Sequence, residues 1–170
     1  MLDSLITSKT RLKMLIKFFV NSANKGYLNG LASEFNESTN SIRKELNNLT
    51  AAGYLLKVKS NNKIIYNANK THPLFKVLQK VIRQHLGIED IIDSILDNLG
   101  QVESVALVGD YAKGIDSGHI QVLLLGNRIN TDYLKDLINK IENKITRKVS
   151  FKIVDVLSKE SLVIYNNDKI

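Results

Sequence analysis

Between residues 28 and 70 the chain reads LNGLASEFNESTNSIRKELNNLTAAGYLLKVKSNNKIIYNANK, and its hydrophobic rhythm changes once, near Gly53. Before that glycine apolar residues recur at three and four, the repeat of a helix face; after it they alternate, the repeat of a strand. Leu28, Leu31, Ala32 and Phe35 share one side of a short predicted helix, and NES turns the chain after it. Ser38 is a good cap for the next helix, because its hydroxyl can accept an orphan backbone N–H of the first turn. There Ile42, Leu46 and Leu49 bury one stripe, and Gly53 is well placed to end it. Residues 54–59 and 63–67 then read as two strands around Ser60-Asn61-Asn62, the composition of a hairpin turn. Upstream, residues 4–21 carry Leu5, Leu12, Leu15, Ile16 and Phe19 at helical spacing, and Gly26 breaks that pattern.

Charge is distributed unevenly over these elements. Residues 1–87 hold 14 Lys and Arg against 4 Asp and Glu, a balance of +10; residues 88–170 hold 10 against 13, a balance of −3. A basic half joined to a mildly acidic one suggests one part that meets a polyanion and another with a different task. On the side of the third helix away from its apolar stripe lie Thr39, Asn40, Arg43, Lys44 and Asn47. Such groups suit a major groove, where Arg forks to guanine, Asn pairs with adenine and helix-end amides take phosphate. Lys57, Lys59 and Lys63 cluster near the hairpin tip, within reach of phosphates.

Over residues 5–75 this order of helix, turn, helix, L..AGYL and basic hairpin resembles the ArsR-type winged-helix regulators. The resemblance implies a winged helix-turn-helix fold and double-stranded DNA as partner. Its contacts are then expected from Ser38, Thr39, Asn40, Arg43, Lys44, Asn47, Lys57, Lys59 and Lys63. Some members of that family sense soft metals, which requires thiolates, and this chain has no cysteine. His85 and Glu89 are four apart with Gly87 between them, and His72 precedes Pro73 as a turn residue, so no metal site is expected.

Residues 73–87 form an expected connecting helix that starts at Pro73, with Leu74, Val77, Leu78, Val81, Ile82 and Leu86 as its apolar stripe between Lys76, Lys80 and Arg83. That stripe packs either on the chain's own domains or on its copy in a homodimer, the common way to match two DNA half-sites. The expected division is therefore 1–72, 73–87 and 88–170. In the last part residues 88–99 read as a helix with Ile88, Ile91, Ile92, Ile95 and Leu99 inward. VESVALVG and HIQVLLLG read as strands, and residues 130–145 as a helix with Leu134, Leu137, Ile138, Ile141 and Ile145 inward. RKVSFKIVDVLS reads as a third strand, and KESL as the start of a last helix. The fold class is α+β.

Residues 108–126, VGDYAKGIDSGHIQVLLLG, carry the chemistry to be weighed in that part. With Gly109, Tyr111, Ala112, Lys113 and Gly114 followed by a strand, residues 88–160 resemble the minimal nucleotidyltransferase domain of the polymerase-beta superfamily. A winged helix followed by such a domain is an architecture of prokaryotic ArsR-like regulators. The family has Ser after the first glycine and Asp-x-Asp at the next strand; here Asp110 replaces the Ser, and His119 and Gln121 replace the two Asp. Two-metal phosphoryl transfer needs hard anionic oxygens, and an imidazole and an amide do not supply them. The surviving carboxylates are Asp116 on the loop and Asp155 on the third strand. The expectation is a degenerate domain without catalysis or cofactor, in which Lys113 and the backbone of Gly109 and Gly114 keep at most an anion seat. An enzyme with unusual metal ligands and a toxin–antitoxin-like interaction module are the alternatives. No apolar run approaches about 18 residues and no signal-peptide pattern opens the chain, so a cytoplasmic protein is expected.

Overall fold

Helix α1, Lys9–Phe19, begins where the Ser8 hydroxyl accepts the Arg11 backbone N–H at 3.1 Å. The apolar spacing predicts a start near residue 4. Instead Leu2–Ser4 form a 3-10 turn and Leu5 is exposed, because the Ser8 cap opens the helical ladder later. In this computed structural model the described residues are 2–167, and they fall into two compact units divided between Ile82 and Arg83.

In the first unit a two-residue strand β1, Lys25–Gly26, precedes α2, Leu28–Phe35, and α3, Thr39–Ala51. Ser38 caps α3 by accepting the Ser41 N–H at 3.1 Å. Gly53 closes it: its N–H donates to the Thr50 carbonyl at 3.0 Å, and Tyr54 N–H returns to the Leu49 carbonyl at 2.9 Å. Strands β2, Leu55–Ser60, and β3, Lys63–Ala68, pair antiparallel with Ser60 opposite Lys63. The turn is thus two residues, Asn61 and Asn62, both at positive φ, as the tight turn matching strand twist requires. β1 adds to β3 and gives the sheet order β1-β3-β2. The layout is a winged helix-turn-helix. Met14, Phe18 and Phe19 of α1 and Ile42 and Leu46 of α3 are fully buried and form its centre, each worth roughly 1.5–3 kcal/mol.

Helix α4 runs Phe75–Leu86, and the division between the units falls within it. It starts two residues past Pro73, because the His72 ring Nδ1 accepts the Leu74 N–H at 3.1 Å and the Phe75 N–H closes on the His72 carbonyl at 2.9 Å, a turn rather than a helix start. Phe75 packs on Phe19 with ring centroids 5.7 Å apart, and Ile82 and Leu86 are buried. Leu74, Val77 and Val81 stay exposed.

In the second unit α5, Ile88–Asn98, buries Ile88, Ile91, Ile92 and Ile95. Strands β4, Gln101–Val108, and β5, His119–Asn127, are antiparallel neighbours. Helix α6, Leu134–Lys144, then carries the chain to β6, Lys148–Ile153, which lies parallel to β5. The helix expected from KESL is absent. Residues 158–161 form a turn and Leu162–Asn166 form strand β7 against β4, for the run LVIY is β-branched and aromatic and β4 has an open edge to take it. The sheet order is β6-β5-β4-β7, and the whole chain is α+β. Val105, Leu107, Ile120, Val122 and Leu124 are buried, with α5 packing on β4 and α6 on β6. No helix among the described residues is long and apolar enough to cross a membrane.

Gly87 joins α4 to α5 at φ +80°, and a Cβ there would stand 2.4 Å from Ile145 Cγ2. The expected outcome for Gly87→Ala is a loss of about 2–4 kcal/mol, from left-handed strain and overpacking together. Urea unfolding monitored by circular dichroism checks it, with Gly118→Ala as control: its site is open at φ +88°, so only the strain of about 1–2 kcal/mol remains.

Candidate nucleic-acid interface

The helical repeat of α3 sorts its side chains by charge. Ile42, Leu46 and Leu49 are buried, and Glu45, the one acid in the helix, is buried beside them. Its carboxylate accepts from Arg11 Nε at 2.8 Å and from the Ser8 hydroxyl at 2.9 Å, which satisfies a charge that would otherwise be costly to bury. The opposite side exposes Thr39, Asn40, Arg43, Lys44 and Asn47. Arg43 donates to Asn40 Oδ1 at 3.0 Å, a contact that holds its guanidinium over the first turn. Ser38 is occupied as the helix cap and also meets the Ser41 hydroxyl at 2.9 Å.

The wing faces α3 across an open cleft of about 420 Å³. Arg43, Leu46 and Asn47 of α3 line one wall, and Lys63, Ile64 and Tyr66 of β3 another. In the hairpin Lys57 stands opposite Tyr66 and Lys59 opposite Ile64, and directly paired residues share a face, so both lysines belong to the cleft side of the wing. Lys63 pairs with Ser60 instead, yet its ammonium lies 4.3 Å from the centre of the Tyr27 ring, over the electron-rich face. Tyr27 closes the end of the cleft beside Asn29. Its ring lies across Gly30, where a Cβ would stand only 2.8 Å away. The fold therefore brings Arg43, Asn47 and Lys63 together, whereas Thr39 and Lys44 remain on the outer surface of α3. Tyr27, Asn29, Asn62 and Tyr66 are cleft residues that sequence reasoning missed. Strand alternation places Tyr66 with Ile64, but nothing local ties either to Tyr27.

In the second unit the loop after β4 folds into a compact turn. Lys113 N–H donates to the Asp110 carbonyl at 3.0 Å and Ile115 N–H to the same oxygen at 2.9 Å, with Gly114 at φ +78°. Gly109, at φ +66°, leaves no space for a side chain, since a Cβ would stand 2.9 Å from Gln121 Oε1. Asp110 and Lys113 are exposed, while Tyr111 is buried. The Tyr111 hydroxyl donates to Asp116 and accepts the Gly118 N–H at 3.1 Å. Arg147 forks onto Asp116, with Nε–Oδ1 2.8 Å and Nη2–Oδ2 2.6 Å. Burial works against the Asp116 charge, but the Arg147 hydrogen bonds, then that of Tyr111, and the arginine's charge outweigh it and hold the carboxyl below its ordinary range. Burial foremost, then the hydrogen bond to Asp116 and its charge, push the Tyr111 phenol far above its usual value.

His119 and Gln121 lie side by side on β5, one strand from Ser150. His119 Nε2 meets the Ser150 hydroxyl at 2.9 Å, and Ser150 stands opposite Gln121 in the parallel ladder. Asp155 is not on the third strand: β6 ends at Ile153, and Asp155 falls in the bend beyond it. A pair of magnesium ions needs carboxylates at these positions. The residues present are an imidazole, an amide and a hydroxyl, with Asp116 committed to Arg147, and they do not fit that pair. Among the described residues no three His, Asp or Glu side chains converge on one point.

No protein-family model matches the chain, and no curated protein matches it. Among solved structures it is similar to the transcriptional regulator BldR from Sulfolobus solfataricus, at 13% identity and a TM-score of 0.39, over 85% of this chain and 80% of that one. A likeness this loose carries no functional weight of its own.

The side chains of Arg147 and Asp116 are only 11% and 27% exposed, so breaking their pair leaves a largely buried cation. Asp116→Asn is expected to lose roughly 2–4 kcal/mol at neutral pH. The sign in pH follows from the lowered folded-state pKa: the ionised pair adds stability above the ordinary carboxyl value of 3.8, and that stability is lost as the pH falls through the folded value. Urea unfolding of parent and variant at pH 7 and in steps below pH 4 should show the gap between them closing in acid.

Proposed function

We propose that this chain is a DNA-binding transcriptional regulator whose second unit is a nucleotidyltransferase-like domain without catalysis. The observation that carries the reading is the sorting of charge on α3 and the wing. The outward side of the helix and the cleft side of the hairpin expose Arg43, Lys44, Lys57, Lys59 and Lys63 together with Asn40 and Asn47, while Glu45 is turned inward. A duplex presents the complement of such a surface: phosphates for the lysines and base edges for Arg43 and the asparagines. For the second unit, the loss of carboxylates at His119 and Gln121 and the commitment of Asp116 to Arg147 support a role other than phosphoryl transfer. The exposed Val77 and Val81 on α4, with Leu74 just before it, support a dimer joined along that helix.

Arg43→Ala combined with Lys44→Ala is expected to weaken binding to duplex DNA and to lower the slope of log K against log salt by about 1 for each phosphate contact removed. Fluorescence anisotropy across a salt titration measures both. Equal binding by parent and double variant at every salt concentration overturns the assignment of α3 as the reading helix. Val77→Glu with Val81→Glu is expected to turn a dimer into a monomer in sedimentation equilibrium, since two buried carboxylates facing their copies would be unpaired.

A further inference from the structure

The cleft between α3 and the wing is built for more than a passing phosphate. Its lining contains no acid, two cations, Arg43 and Lys63, and the two phenol rings of Tyr27 and Tyr66. Three side-chain amides, those of Asn29, Asn47 and Asn62, also open into it. Tyr66 adds a phenol to that lining. The residue is only 7% exposed, so packing holds its ring in place at the cleft. A phenol hydroxyl at the cleft can donate to or accept from a polar ligand. The Lys63 ammonium resting over the Tyr27 ring is held by a weak partner that an anion displaces.

We infer that this cleft binds a free nucleoside monophosphate. Each feature of the lining answers one part of that ligand. A phosphate monoester carries about −1.5 to −2 charge at neutral pH, which the two cations balance without a metal. An aromatic base stacks on a tyrosine ring, as bases do on phenols in single-strand binders. Asparagine amides, with a donor and an acceptor each, suit the polar edge of a base better than a plain hydrocarbon acid. The volume of about 420 Å³ lies within the range of small-ligand sites. A di- or triphosphate adds charge for which the lining itself, with Lys57 and Lys59 outside it, holds no further cation.

Arg43, Asn47 and Lys63 are also assigned to DNA under the proposed function, and on that reading nucleotide and DNA exclude one another. The test uses the full chain and isothermal titration calorimetry without DNA. The titrants are the four common nucleoside 5′-monophosphates, the four parent nucleosides and inorganic phosphate. At least one monophosphate should bind saturably, with its nucleoside and inorganic phosphate each about tenfold weaker or more. Tyr66→Phe, which keeps the ring and its packing, should weaken the nucleotide about three- to tenfold, and Lys63→Gln about tenfold. Failure of all four monophosphates to bind overturns the inference. So does phosphate binding as tightly as nucleotide, which marks a bare cation patch, or nucleotide binding unchanged in both variants, which places it elsewhere. A second titration adds the nucleotide to a protein–DNA complex, and ten times its Kd should lower the apparent DNA affinity about elevenfold. If the chain binds nucleotide but no DNA, the regulator reading falls and the nucleotide site stands. If DNA binds and nucleotide does not, the reverse holds.

Discussion

A carboxylate taken out of water has to be given donors, or it does not stay charged. Glu45 of the first unit is such a group, and Asp116 of the second, only partly covered, is held in the same way, each by an arginine and a hydroxyl. In the first unit Arg11 and Ser8 hold Glu45, which fastens α3 to the start of α1 and leaves the outer side of α3 free of acid. In the second, Arg147 and the Tyr111 hydroxyl hold Asp116, which ties the loop after β4 to the residue just before β6. The two networks have opposite effects on chemistry. Burying Glu45 purifies a positive surface, whereas engaging Asp116 commits that carboxylate to an arginine rather than to a metal.

The parts of the fold that were legible in sequence are those written in a local period and a cap. Helices α2 and α3 and the hairpin follow from the change of rhythm at Gly53 and from Ser38, both of which act within a few residues. The start of α1 was misread because Leu5 keeps the helical spacing, while the Ser8 hydroxyl decides where the ladder begins. Strand β7 was misread because KESL favours a helix locally, and what decides the following residues is a partner some 60 positions away, as with Ser104 donating to Asn166. Strand β1, two residues long, has no period to read.

The candidate site divides in the same way. Arg43 and Asn47 follow from helix phase, and the wing lysines from their clustering near the hairpin tip. Tyr27 and Asn29 come from one stretch and Tyr66 from another some 37 positions on, and only the folded sheet brings them to one cleft. Asp116 and Arg147 are 31 residues apart, and either alone reads as an ordinary surface charge. Their pairing is a property of loop closure, which no local signal encodes.

The wing carries one more consequence. Strand β2 is paired on one side only, so its outer edge presents open backbone donors and acceptors, and Leu56 and Val58 are exposed along it. A flat apolar edge of that kind recruits strands from other molecules, and long cations are a common means of preventing it. Lys57 and Lys59 alternate with those two apolar residues and place a charge at every second position of the edge. The same pair of lysines that the proposed function assigns to a polyanion thus also opposes edge-to-edge pairing between the wings of separate molecules.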